Sequence, residues 1–253
     1  MNFIWVWHAK TLKRFMIVAI AAFFTAGILY VESPELAVFS TGDKPVAIYK
    51  AETEEKKVAL TFNISWGEEK AVPILDTLKE HNISETTFFV SASWAERHPE
   101  IIERILEDGH EIGSHGFRHE HYTSWEEDKI KSDIQTAHRI IEEVTQEAPK
   151  YLRPPNGSFD ERVLKIAETL NYDVIHWSIN SEDWQNPGVE KIIENVTSNT
   201  ASGDIILLHA SDSAKQTNEA LPEIIKVLES DGFQFATVSQ LISGAEAEAE
   251  EIK

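Results

Sequence analysis

The segment HEIGSHGFRH, residues 110–119, decides how this chain is read. A short apolar run of strand length ends in His115 and His119, four positions apart. On a helical turn, side chains at that spacing share a face, so both rings can reach one ion. A bare HxxxH is a weak pattern, but its place directly after a strand candidate makes it half of a candidate metal site. His110 stands at the strand start and His121 just past the pair, and both read as ordinary histidines.

The same strand-then-polar rhythm extends in both directions. Strand candidates are VAIYK (46–50), VALTFNI (58–64), TTFFVSA (86–92), HEIGSH (110–115), YLRPP (151–155), DVIHWSI (173–179), DIILLHA (204–210) and FQFATVS (233–239). Amphipathic segments over roughly 70–81, 97–108, 125–146, 160–170, 188–199 and 216–230 predict helices between them. Pro99 and Asp160 suit first turns, and Gly109, Gly203 and Gly232 fall where helices hand over to strands. Such β-α alternation predicts an α/β fold with a mainly parallel, helix-covered sheet. About seven inner strands favour barrel-like closure, and no glycine-rich phosphate loop follows the first strand. The expected organisation is a leader over 1–31, a linker and first strand over 32–55, one catalytic domain over 56–242 and an acidic tail over 243–253.

Composition narrows the partners. The 253 residues carry a formal charge of −20, which argues against nucleic acid and anionic lipid headgroups as ligands. Cysteine is absent, so disulfides and thiolate ligands are excluded. Lys10, Lys13 and Arg14 precede the uncharged run FMIVAIAAFFTAGILYV, residues 15–31. Its length is at the short limit of the about 17–25 residues of a membrane span. The expectation is an uncleaved anchor with the body outside the cytoplasm, and a cleaved signal peptide is the alternative. A monomer is expected.

Polar residues gather at the carboxyl ends of the predicted strands, where parallel barrels keep their active sites. Arg153 opens RPPNG, a turn stiffened by Pro154 and Pro155, and is placed to hold a carboxylate or a developing negative charge. Asp183, in the loop part of DVIHWSINSEDW, is a candidate partner that would set a histidine's tautomer. His176 and Trp177 alternate there, so one of the two is expected in the core. His209 ends DIILLHA and is a candidate general acid. Pro154, Asn156, Trp66 and Trp184 are the candidate substrate contacts.

With those residues in view, the chain resembles the NodB-like polysaccharide deacetylases, carbohydrate esterase family 4. GSHGFRH, RPPNG, the DW of SEDW and LLH resemble four of that family's motifs, and TFNISWG resembles its opening TFDDGP. The similarity runs over about residues 56–242 in the family's order. The apolar leader with TFNISWG is most similar to a sporulation-associated branch of the bacilli, which implies a forespore or spore-envelope setting. The resemblance implies a distorted (β/α)7 barrel, the NodB homology domain. It also implies a divalent metal, usually zinc, and removal of N-acetyl groups from chitin-like or peptidoglycan sugars. By it, His115 and His119 match metal ligands, Arg153 the tether of the base, Asp183 the orienter of the acid and His209 that acid. Asn63 occupies the position of the base and Ile64 that of the third ligand. Gly116 stands where the histidine motif carries Ser or Thr. An amide cannot take up a proton usefully near neutral pH, and isoleucine offers a metal no lone pair. Glu68 and Glu69 are the nearest carboxylates in sequence and are the candidates to replace either. The resulting expectations are an atypical metal-dependent deacetylase or a non-catalytic glycan- or partner-binding member.

Overall fold

In the computed structural model, residues 45–243 and 246–250 are described. The apolar run 15–31 lies outside them. Among the described residues no helix is long and apolar enough to cross a membrane.

The strands are β1 Ala47–Glu52, β2 Lys57–Ile64, β3 Thr87–Val90, β4 Glu111–Ser114, β5 Tyr151–Leu152, β6 Asp173–Ile175, β7 Ile179–Asn180, β8 Ile205–His209, β9 Gln234–Phe235 and β10 Glu246–Glu250. The sheet path is β10-β1-β6-β5-β4-β3-β2-β8-β7, parallel except for β10, with β9 beside β2. The sheet curls until β1 approaches the start of β8: Ala51 N–H donates to Gly203 O at 2.9 Å, and Lys50 pairs with Asp204 at 3.0 Å. This is the distorted α/β barrel that the strand rhythm and the resemblance imply. The helices that cover it are α1 Ala71–Glu80, α2 Ala92–Ala95, α3 Pro99–Glu107, α4 Glu127–Thr145, α5 Glu161–Thr169, α6 Val189–Thr197 and α7 Thr217–Ser230. Asp160 caps α5 by accepting the N–H groups of Arg162 and Val163.

Several elements depart from the sequence reading. The stretch 173–179 is two short strands, because the carbonyls of Ile175 and His176 turn to the Arg153 guanidinium instead of continuing a ladder. His176 and Trp177 stack on each other at 3.8 Å and both are half-buried; Trp177 packs against the cluster of Ile48, Phe89 and Ile175, so it is the core-side member of the two, at the edge of the core. In FQFATVS only Gln234–Phe235 is strand; a helix, α8 Val238–Ser243, follows. Part of the acidic tail pairs antiparallel with β1.

Alternation along β2 positions the site. Val58, Leu60, Phe62 and Ile64 join the cluster that packs under the helices. Ala59 belongs to the cluster within the barrel with Ile48, Phe89 and Ile175, and Thr61 and Asn63 share its parity. Ile64 is thus an anchor of the helix-side core and fully buried.

Candidate functional site

The strand ends bring Asn63, His115, Arg153, Asp183 and His209 to one rim. Asn63 and His209 are register partners across β2 and β8. Ser114 pairs with Leu152, which sets His115 beside Arg153. The His115 ring donates from Nδ1 to the Arg153 carbonyl at 2.6 Å. A carbonyl only accepts, so Nε2 carries the lone pair. That atom is buried and has no hydrogen-bond partner. Burial, then the nearby His119, pushes the His115 pKa well down, so the ring is neutral.

His119 does not follow on a helical turn. Residues 115–121 form a loop in which Gly116 has φ +73°, and this turn brings the two rings to 5.4 Å between centroids. A Cβ on Gly116 would stand 2.3 Å from the Tyr122 hydroxyl, so the loop has no room for the Ser or Thr of the related motif. Asp133 on α4 clasps this loop, accepting the Tyr122 hydroxyl at 2.7 Å and Phe117 N–H at 2.8 Å. Burial raises the Asp133 pKa and holds the Tyr122 phenol well above its ordinary value. The signal for Asp133 was available: it is the one acid on the buried face of α4, among Ile130, Ile134 and Ala137.

Arg153 is completely buried and has only neutral acceptors. It donates to Thr61 Oγ1 at 2.8 Å, Asn63 Oδ1 at 3.0 Å, His176 O at 2.9 Å and Ile175 O at 3.3 Å. Its guanidinium lies 4.0 Å from the Phe89 ring centroid. Among the described residues no carboxylate pairs with it, and burial pulls its pKa well down. The site is built around a cation whose counter-charge is missing.

Asp183 and His209 form the other half. Asp183 Oδ1 accepts His209 Nδ1–H at 2.7 Å, and Oδ2 accepts both His209 N–H and the Thr217 hydroxyl at 2.7 Å. Asp183 and Thr217 are buried. This arrangement fixes the ring's orientation and leaves Nε2 for another group. Thr217, at the start of α7, has no motif of its own in the sequence.

The metal expectation can be tested on these residues. The orphaned His115 Nε2 and the adjacent His119 are suitable donors. A third is lacking: among the described residues no group of three or more His, Asp or Glu gathers as a metal site. Ile64 is locked into the core. Glu68 points outward, 3.8 Å from His98 Nδ1, and Glu69 is exposed. The residues present therefore do not fit a three-ligand zinc site. Of the expected substrate contacts, Trp66 and Trp184 are each 52 % exposed and Asn156 is exposed. Pro154 is buried and shapes the turn that carries Asn156.

Comparison with known proteins agrees with this fold. The family model described as polysaccharide deacetylase matches residues 50–175. A peptidoglycan-N-acetylglucosamine deacetylase of Bacillus cereus is 34 % identical over 197 residues, covering 77 % of this chain and 92 % of that protein. The crystal structure of a CE4 family pseudoenzyme from Bacillus anthracis superposes with a TM-score of 0.73 at 30 % identity, covering 78 % of this chain and 69 % of that one. A mutant of that pseudoenzyme, described as having restored enzymatic activity, superposes with the same TM-score and identity, over 78 % and 71 % of the two chains.

Proposed function

This chain belongs to the polysaccharide deacetylase family, and from that premise we propose that it binds N-acetylated cell-wall glycan at a site whose hydrolytic chemistry is disabled. One observation carries the reading: the only side chain that Arg153 holds at the position of the base is the neutral amide of Asn63. The absence of a positioned base alone costs roughly 10²–10⁴ in rate. The missing third ligand removes a firm seat for a Lewis acid as well. What remains is suited to recognition. His115 Nε2 is an acceptor without a partner, His209 is held by Asp183, and Asn156, Trp66 and Trp184 are exposed. The substrate-like partner is peptidoglycan or a chitin-like chain outside the cytoplasm, with residues 15–31 serving as anchor or export signal. In the sporulation setting the protein acts as a wall-binding or wall-assembly component.

A second reading, slow metal-assisted deacetylation, is favoured by the intact Asp183–His209–Thr217 array. In that reading His115 and His119 would be the protein donors to a divalent ion, which would polarise the acetyl carbonyl, and His209 would protonate the leaving amine. The deciding experiment measures binding of N-acetylglucosamine oligomers by calorimetry and acetate release by coupled assay, with and without zinc. Binding with no acetate above that of His209→Ala is expected. Zinc-dependent acetate release abolished by His209→Ala would establish the second reading, and no binding of any wall glycan would remove both.

A further inference from the structure

The sheet path begins at β10, the strand that the acidic tail adds to it, and ends at β7. β10 covers the outer edge of β1 in antiparallel register. Glu52 stands opposite Glu246, Ala51 opposite Ala247, Lys50 opposite Glu248, Ile48 opposite Ala249 and Ala47 opposite Glu250. The inner edge of β1 is engaged by the barrel: Ile48 O accepts His176 N–H at 2.6 Å, and Ala51 N–H donates to Gly203 O at 2.9 Å. Among the described strands, β10 alone lies along the outer edge. Without it that edge is a row of unpaired N–H and C=O groups, a template for another strand.

Residue type does not explain why 246–250 is a strand. Ala and Glu are both depleted in strands, and the segment EAEAE contains no large apolar residue. By alternation its three Glu share one face and its two Ala the other. These carboxylates belong to a chain already at −20, so repulsion opposes the pairing. The ladder with β1 is what holds the segment, and the ladder forms because the β1 edge is open to receive it. β1 is blunted in a second way: its register shifts between Ile48 and Lys50, a bulge of the kind that discourages edge pairing. Both devices oppose the approach of a further strand. β1 set antiparallel against the β1 of a second copy is self-complementary across a two-fold axis and needs no other partner. We infer that residues 246–250 are a displaceable guard strand, and that the β1 edge beneath them is a latent interface between two copies of this chain.

The chain has no cysteine, so a pair introduced by substitution reports one contact. In the full chain, held in detergent, Glu52→Cys with Glu246→Cys joins register partners. It should close to an intramolecular disulfide at least about tenfold faster than Glu52→Cys with Ala247→Cys, whose positions are one residue out of register and on opposite faces. Two further variants bare the edge. One deletes residues 244–253. The other keeps the length and carries Ala247→Pro with Glu248→Pro, adjacent positions of which one must turn its backbone toward β1. In both, light scattering should show the protein mass rising with concentration to roughly double that of wild type. Glu52→Cys in the shortened chain should then cross-link two copies. Ala51 N–H, held by Gly203, should keep its protection from hydrogen exchange in both, which separates a bared edge from an unfolded body. If the in-register and slipped cysteine pairs close alike, 246–250 is not a guard on β1. If both edge variants keep the wild-type mass at every concentration while Ala51 stays protected, the β1 edge is no interface. Either result overturns the inference.

Discussion

Asn63→Asp is the most informative single change. It places a carboxylate against a guanidinium that is fully buried and has only neutral acceptors, at the 3.0 Å now spanned by Asn63 Oδ1 and Arg153 Nη1. Two unit charges at that distance attract by about 5–6 kcal/mol at an effective dielectric constant of about 20. Taking the carboxylate out of water costs several kcal/mol in return. The difference between a charged and a neutral hydrogen bond gives the same net figure, a gain of about 1–2 kcal/mol. In a body of this size that corresponds to a rise in Tm of about 2–8 °C. The sign with pH is fixed. A carboxyl beside a permanent cation has a folded pKa below its unfolded value of about 3.9. Its stabilisation is complete above the unfolded pKa and disappears as pH falls through the folded one. Urea unfolding of both proteins at pH 7, 5 and 3 measures this directly. The variant should be the more stable at pH 7 and the advantage should shrink by pH 3. A variant less stable than wild type at pH 7, or a difference indifferent to pH, would refute the account of Arg153 as a cation lacking its counter-charge.

Adding Ile64→Asp to Asn63→Asp puts a carboxylate into the helix-side core, so the double variant should lose about 3–5 kcal/mol without metal. Zinc should recover much of that loss in thermal melts while scarcely shifting wild type, if the carboxylate completes the histidine pair. Thr217→Val leaves the buried Asp183 carboxylate short of a donor and should cost about 1–3 kcal/mol, whereas Thr217→Ser should melt close to wild type. His110 is buried against Phe88 with its pKa lowered to about 4 by desolvation. The unfolded chain therefore takes the proton first, and stability should fall as pH drops from about 6.5 to about 4, by roughly 3 kcal/mol. His110→Gln should remove that part of the slope in pH-dependent denaturation.

The motifs were legible because each depends on local chemistry: a strand end, a stiff turn, a residue type. RPPNG gave away Arg153 in this way, and LLH gave away His209. Asp133 was legible as the one acid on the buried face of α4, but the loop it clasps was not, and neither was the Thr217 bond to Asp183, because each joins separate elements through a single hydroxyl or carboxylate. The helical reading of His115 and His119 failed for a nearer reason. Spacing alone does not reveal that Gly116 turns left-handed against Tyr122.

The order of apolar runs was enough to determine a parallel α/β barrel, since burying one face of every strand and helix leaves few other arrangements. Matched to the opening motif of the family that the chain resembles, Asn63 and Ile64 likewise declared that a proton acceptor and an oxygen ligand were absent. Only the tertiary structure decided where the consequences fall. It turned Ile64 into the helix-side core, kept Glu68 and Glu69 out of reach, and left Arg153 enclosed with neutral partners. Those outcomes depend on strand parity and on which side chains meet across the barrel, and no local stretch of sequence contains that information.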